Sequence, residues 1–507
     1  MSPILKPTAV ACVALLSACT LEPRYRPAPL PVAAQWPIPP TTPAVQAAAN
    51  TPAAALNEHA PRGPVAGALG GVHAAVDIGW RDFFADLQLQ NLIAQALANN
   101  RDLRVAVLNV QLAHAQYVSQ RSNLFPQLNG SASYTKEHLP AAEFGFPITA
   151  AYYTVGAALS SFELDLFGEV RSMNHAALQQ YFARSEARRA AQLSLISQVA
   201  AEYMTLLSDR QLLKLSQDTL QSQQRSYDIT VQEHQRGQVS GLDVAQAETT
   251  VDTARANVAL YEGNIAQDTD ALTLLVGAPV DASRLPQALT DHIIGIAALP
   301  PQLPSTVLLR RPDVLEAEHQ LLSANANIGA ARAAFFPTIS LTGQIGSLSP
   351  QLNGLFSGGT GTWQYSPQVS VPIFHGGALV AGLSEANTNR GIALAQYEKA
   401  IQTAFREVAD ALALTGTLER EREAQAALVG ATGRAYQLSL DRYRVGRESF
   451  LDVLDSQRSY YAAQQSLIAT QLEQQNNRVT LYTALGGGWH ERSVTAQTYP
   501  TTSSGGS

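Results

Sequence analysis

One internal repeat limits what this chain can fold into more than any other feature. Tyr436 to Tyr460 reads as a helix, a tight turn and a second helix, and Tyr227 to Leu260 reads the same way. Placing Leu242-Asp243-Val244 on Leu451-Asp452-Val453 sets an offset of 451 − 242 = 209. The same offset carries Tyr227 onto Tyr436, Gly237 onto Gly446 and Gly277 onto Gly486 without a gap. Upstream, Leu124-Phe125-Pro126 falls on Phe335-Phe336-Pro337 at 335 − 124 = 211. Almost the whole protein is therefore two copies of one unit of about two hundred residues, a duplicated fold.

The N-terminus reads as an export signal. One Lys precedes an apolar run from Ala9 to Leu16, too short to span a bilayer, and Leu16-Ser17-Ala18-Cys19 follows. That tetrapeptide resembles the lipobox of bacterial lipoproteins, in which cleavage leaves Cys19 as an acylated N-terminus. Cys12 would be removed with the signal, so Cys19 is the only cysteine of the mature chain, which fits an anchor better than a disulfide framework. Thr20 rather than Asp follows it, which by resemblance to lipoprotein sorting signals points to the outer membrane. From Leu21 to Ala75 the chain holds eleven of its 27 prolines and little apolar periodicity, an extended arm without a core.

In each copy an amphipathic helix is followed by a hairpin. The first helix is expected over Leu87 to Asn123, and the period then changes to two: Leu128, Gly130, Ala132 and Tyr134 alternate with Asn129, Ser131, Ser133 and Thr135. Tyr153, Val155, Ala157 and Leu159 form the returning strand. In the second copy Ile339, Leu341 and Ile345 alternate with small polar residues, as do Trp363, Tyr365, Val369, Val371 and Ile373. A soluble sheet would normally carry Lys, Glu and Arg on its wet face. Uncharged polar faces and aromatics near the strand ends suit a membrane barrel better. Four strands cannot close a barrel, and an open edge in lipid leaves backbone groups unsatisfied, so copies of the chain must pool strands. Two copies would give about eight strands and a filled interior, whereas three give about twelve and a lumen, so a homotrimer is the smallest conducting assembly.

The hairpins feed very long helices. Ser172 to Arg236 has no proline and places Val199, Leu206, Leu213, Leu220 and Tyr227 at heptad spacing, roughly 100 Å of helix. The return helix, Gly241 to Val276, ends at Gly277, and the second copy gives Gly376 to Arg444 and Phe450 to Leu485. The expected fold is all-α with a membrane β-barrel portion: coiled-coil hairpins forming an α-barrel tunnel continuous with a 12-stranded barrel in the trimer. The domain division is a signal peptide at 1–18, a lipidated arm at 19–80, a first repeat at 81–278, an equatorial belt at 279–311, a second repeat at 312–488 and a mobile tail at 489–507.

Function classes narrow by exclusion. A net charge of −7 and the lack of basic runs leave no footprint for nucleic acid. No HExxH, P-loop, GxSxG or Cys/His metal spacing is present, and the ten His residues are scattered, so neither an enzyme nor a cofactor is expected. A periplasmic structural or adaptor lipoprotein is the remaining rival, since adaptors share the lipobox and a coiled-coil hairpin. It has no need of a duplication with four membrane-type strands.

Leu303-Pro304-Ser305, Leu308-Leu309-Arg310-Arg311-Pro312-Asp313-Val314 with Glu316-Ala317-Glu318, and Ala324 through Pro337 resemble the signature of outer membrane efflux lipoproteins of the TolC/OprM/NodT type. Phe162 to Gly168 is similar to the segment where that family leaves its second strand. The resemblance covers about Trp80 to Leu485. It implies a trimeric exit duct in outer membrane lipid, docked through a periplasmic adaptor onto an inner-membrane pump and expelling drugs or other small toxic molecules. The lipobox and Leu308 to Asp313 resemble members that serve proton-driven pumps. The family also closes its periplasmic end with an apolar and an acidic ring and with Arg and Tyr links. Carried onto matching positions, these are Leu451 and Asp455 as rings, Arg458 as a partner, and Tyr443 and Asp452 as links. Glu448, preceded by Arg447, stands where some members place a locking Arg.

The tips themselves are Gly237 with Ser240 and Val445-Gly446 with Ser449, the expected adaptor contacts. Asp243 and Asp452 lie three residues after those serines, which capping alone would explain. Asp455 lies deeper than a cap, and its counterpart is Gln246. Three copies of Asp455 around an axis would attract cations, so the ring could hold one, while no resident metal is expected.

Overall fold

The computed structural model describes residues 20–37, 75–139, 145, 147–295 and 304–493. The expected signal peptide, Cys19, most of the arm and the tail beyond Ser493 lie outside them. Helices α1 (Trp80–Phe83), α2 (Leu87–Asn99) and α3 (Arg101–Ser122) lead into strands β1 (Leu128–Leu139) and β2 (Ile148–Glu163). Helices α4 (Glu169–Gln235) and α5 (Gly241–Val276) complete the first copy. The second copy repeats the order with α6 (Pro312–Ala333), β3 (Thr338–Ser349), β4 (Gly361–Ser370), α7 (Ala378–Arg444) and α8 (Phe450–Ala484).

The duplication is legible in element lengths. Helices α4 and α7 both run for 67 residues, and α3 and α6 both run for 22. Among the described residues no helix is long and apolar enough to cross a membrane.

Residues 108–186 and 315–399, with 20–29 of the arm, form one compact unit. Its sheet is a four-stranded antiparallel meander in the order β1-β2-β3-β4. Tyr134 pairs with Tyr153 across β1 and β2, their rings 4.8 Å apart. At the centre Gly156 faces Gly346, and a Cβ on either would meet the opposite backbone within 2.9 Å, so this crossing requires glycine on both strands. The register of β2 against β3 shifts between Leu159 and Phe162, with Ser161 at φ 39°, a bulge that the regular alternation of the sequence did not announce. Strand β4 ends at Ser370, so Val371 and Ile373 lie past the sheet.

The arm seats on α4 and α6 within this unit. Asn325 donates to the Pro23 carbonyl (2.7 Å), Arg332 to the Leu21 carbonyl (3.2 Å), and the Tyr25 hydroxyl to Glu318 (2.9 Å). Gly329 makes room for this, since a Cβ there would lie 3.0 Å from the Glu22 backbone.

The second unit holds residues 187–314 and 400–493 with described parts of 30–107. Its core gathers Trp80, Phe83, Leu89, Ile93, Tyr203 and Tyr482, all nearly or fully buried. The single helix expected over Leu87 to Asn123 is two helices. Asn100 breaks it by accepting from the Leu103 N–H (2.9 Å), as an N-cap does, while donating to the Leu275 carbonyl (2.9 Å). The Asn99 carbonyl fits against Gly277, where a Cβ would approach it to 2.7 Å.

Residues of the expected belt are tied to α4 by the Arg210 guanidinium, which donates to the carbonyls of Leu285, Pro286 and Ala282 at 3.0, 2.8 and 2.6 Å. The tail differs from the expectation of mobility over its first residues. The N–H groups of Trp80 and Arg81 donate to the carbonyls of His490 and Glu491, and Ser493 donates twice to Asp82, which knits 490–493 to α1. Beside this strap the rings of Phe83 and Tyr482 stack at 3.8 Å.

Candidate functional site

The turns between α4 and α5 and between α7 and α8 have one local design. Gly237 and Gly446 sit in the left-handed region at φ 72° and 70°, where L side chains are strained. Gly237 and Gln238 turn their N–H groups back onto the carbonyls of His234 and Glu233. Gly446 and Arg447 do the same to Tyr443 and Arg442. These are equivalent positions in the repeat (443 − 234 = 442 − 233 = 209). Val445 is 67% exposed at the apex of the second turn.

Both return helices start from a serine cap. The Ser240 hydroxyl accepts from the Asp243 N–H, and the Asp243 carboxylate accepts from the Ser240 N–H (2.8 Å), a complete capping box. In the second turn Ser449 accepts from the Asp452 N–H (3.3 Å) and donates to the Asp452 carboxylate (2.6 Å). Asp452, expected as a link between helices, thus directs its side chain to its own cap.

The remaining expected residues divide by face. Leu451, Asp455 and Arg458 are spaced four and three apart on α8, share one side of the helix, and are all exposed. Among the described residues neither Asp455 nor Arg458 has a side-chain partner. On the adjoining face Leu454 and Phe450 are buried with Ala247 of α5, and Tyr227 and Tyr443 pack against them. This small apolar cluster holds the two tips together.

Tyr443 is the one expected link residue that reaches another helix. Its hydroxyl donates to Glu233 at the end of α4 (2.9 Å), and its ring lies 5.4 Å from that of Phe450. Burial, then the neighbouring Glu233 carboxylate, push the phenol up to about 12, so it keeps its proton. Sequence reasoning missed Glu233. A signal existed, because the repeat offset puts acidic Glu233 on basic Arg442. Glu448, at the position where some members of the resembling family place a locking Arg, is held by Arg442 of its own hairpin at 2.7 Å.

Further along α8 polar side chains tie the copies together. Ser216 of α4 and Tyr461 share a hydrogen bond of 2.8 Å, Asn257 of α5 donates to Tyr461 at 3.4 Å, and Gln465 donates to Tyr261 at 3.1 Å. Among the described residues no group of His, Cys, Asp or Glu side chains could hold a metal ion.

Comparison with known proteins decides the class. The profile of the outer membrane efflux protein family matches twice, over residues 92–278 and 303–487, more than half the chain and once per copy of the repeat. The chain belongs to the outer membrane efflux protein family. A toluene efflux pump outer membrane protein of Pseudomonas putida, TtgC, is 44% identical over 480 residues, 94% of each chain. The outer membrane protein OprJ of Pseudomonas aeruginosa is 39% identical over 481 residues, again 94% of each. Among solved structures, the open state of the MtrE outer membrane channel of Neisseria gonorrhoeae superimposes with a TM-score of 0.80 at 36% identity, covering 94% of this chain and 100% of that one. As an outer membrane efflux protein the chain is a channel component of the Gram-negative outer membrane, with the family's helical tunnel and barrel fold. The family is not one of enzymes.

Proposed function

We propose that three copies of this chain form an exit duct for small toxic compounds, each copy giving four strands to a closed barrel of twelve and two helical hairpins to a tunnel. Strand β4 carries this reading. All ten of its residues are exposed, Trp363 at 80% and Tyr365 at 63%, and its outer edge is unpaired among the described residues. A strand with both faces and one edge bare is stable in lipid only when another copy pairs with it. An acyl group on Cys19 would fix the arm to the same membrane.

The bare stripe of Leu451, Asp455 and Arg458 is the gate in this reading. Three copies facing an axis would make an apolar ring, an acidic ring that draws cations and could hold one, and a basic residue able to pair across subunits. The inner pair α7 and α8 must swing away from α4 to open it. A periplasmic adaptor binding the tips at Gly237, Ser240, Val445, Gly446 and Ser449 supplies the differential affinity for the open state, with a proton-driven inner-membrane pump behind it. A pore-free structural or adaptor lipoprotein leaves β4 without a reason.

Single-channel conductance of the purified mature protein in planar bilayers tests both parts. A small, cation-selective conductance that rises when Asp455→Ala and Arg458→Ala are combined is expected. A large conductance indifferent to both changes would remove the gate from these residues, and no conductance from a verified trimer would sink the duct.

A further inference from the structure

The groove that seats the arm contains a chain of four polar groups with one property the channel does not use. His175 of α4 donates from Nδ1 to both oxygens of Glu22 in the arm (2.9 and 3.1 Å). The Gln179 amide nitrogen donates to His175 Nε2 (3.0 Å), and His319 Nδ1 of α6 donates to the Gln179 amide oxygen (2.7 Å). Gln179 is buried, and the ring of Phe182 lies 5.4 Å from that of His319. Each group's donor and acceptor are thus fixed by the next one along.

We propose that this chain is a one-proton relay that makes the arm's docking tighten in acid. In the arrangement described, His175 presents a lone pair to Gln179 and is neutral. A second proton on His175 Nε2 would set two N–H groups against each other at 3.0 Å. Turning the Gln179 amide over removes the conflict, because its oxygen then accepts from His175. The amide nitrogen now faces His319 Nδ1, which must give up its proton there and carry it on Nε2. His319 therefore stays neutral whenever His175 is charged, and the relay stores one proton rather than two. That proton turns the His175–Glu22 contact from a hydrogen bond into an ion pair.

The surrounding charges favour placing the proton on His175. Facing the groove are Glu22 and Tyr25 from the arm, Glu186 on α4, Glu318 and Arg332 on α6, and Arg390 and Tyr397 on α7, with Tyr25 already bound to Glu318 and Arg390 to Asn325. The Glu22 hydrogen bond raises the His175 basicity against the opposing effect of burial, whereas burial lowers that of His319. A group raised in the docked state stabilises docking fully below the ordinary imidazole range and loses that contribution as pH rises through its docked value.

Hydrogen–deuterium exchange of the full mature protein in lipid nanodiscs, corrected for intrinsic rates, reads the clasp at the amides of residues 21–26. Protection is expected to be about threefold or more greater at pH 5.5 than at pH 8. In His175→Gln, which keeps a donor to Glu22 without titrating, the ratio should fall to about one. Exchange of the imidazole C2 hydrogens in the unmodified protein gives an independent reading that does not depend on a variant folding. His175 should titrate above the ordinary range while His319 shows no midpoint between about pH 5 and 8. A wild-type ratio near one, a ratio that survives in His175→Gln, or titration of His319 ahead of His175 would each overturn the relay.

Discussion

Tyr443 donates its phenol proton to Glu233 across 2.9 Å, and this bond joins the end of α7 to the end of α4. It is the only link between the two hairpins at the turns that ends on a carboxylate among the described hydrogen bonds. Bonds to a charged acceptor contribute about 1.5–3 kcal/mol, enough to shift a two-state tip more than tenfold. Tyr443→Phe is expected to raise the open probability of the channel in bilayers by about that factor, with little change in single-channel size. An unchanged open probability would place the closing interaction elsewhere.

The same bond sets a pH prediction. Tyr443 has its proton affinity raised, to about 12, above the ordinary phenol value near 10, so its contribution is complete below the unfolded value and is lost only as pH passes the folded one. Tip protection measured by hydrogen exchange over 436–450 should not change through phenol ionisation between about pH 6 and 9.

The two caps should differ in strength. Ser240 sits in a complete box, while Ser449 makes one half of it, so Ser240→Ala should loosen its turn more than Ser449→Ala. Each loss is about 0.5–2 kcal/mol by precedent for serine caps, and local exchange rates at 241–244 and 450–453 would rank them.

Arg311 is engaged on every side in the second unit. Its guanidinium donates to both oxygens of Asp313 (3.0 and 2.8 Å), to Glu407 (2.8 Å) and to the Ala484 carbonyl (2.6 Å). Arg311 is nearly buried but Asp313 and Glu407 are 41% and 39% exposed, so water takes over part of both carboxylates and the loss of Arg311 costs less than the roughly 3–5 kcal/mol of a fully buried pair. Arg311→Met should lower the denaturation midpoint, and Arg311→Lys should recover only part, since an ammonium cannot reproduce the fork.

Asp268 carries a built-in acid response. Burial, then the nearby carboxylates Asp209 and Glu202, push its carboxyl up to about 6. The folded state therefore holds a proton that the unfolded chain releases, and stability falls as pH rises from the unfolded value near 3.9 to about 6. Denaturation midpoints across that window should slope downward in the wild type and slope less in Asp268→Asn. Equal slopes would mean that Asp209 and Glu202 carry the effect.

Much of this architecture was readable because repetition and periodicity are local signals. The helix expected over Gly241 to Val276 has those bounds in the structure, and the glycines at both turns adopt the backbone that only glycine takes easily. The break at Asn100 was missed because Asn100 is a cap whose second partner, Leu275, lies 175 residues away. The bulge at Ser161 was missed because it depends on which strand lies alongside. At the tips, the serine caps follow from spacing, whereas Leu451, Asp455 and Arg458 follow from the family resemblance. The Tyr443–Glu233 bond does not follow from spacing, since the repeat offset marks Glu233 only as the acidic counterpart of Arg442 and does not pair it with Tyr443, 210 residues away.

The strap from His490 to Ser493 has a consequence for the order in which the molecule is made. Helix α1 receives two of its backbone partners from this last described segment of the chain and a stacked ring from Tyr482 of α8. A ribosome or secretion channel delivers the N-terminal end first, so Trp80 and Phe83 can pack early on α2 and α4 but receive Tyr482 and the strap only after nearly every other residue has been released. The first described α-helix is then among the last to be fully sealed. A protomer truncated anywhere in the second copy lacks the Tyr482 side of that cover, which marks it as unfinished to any protease that surveys the periplasm.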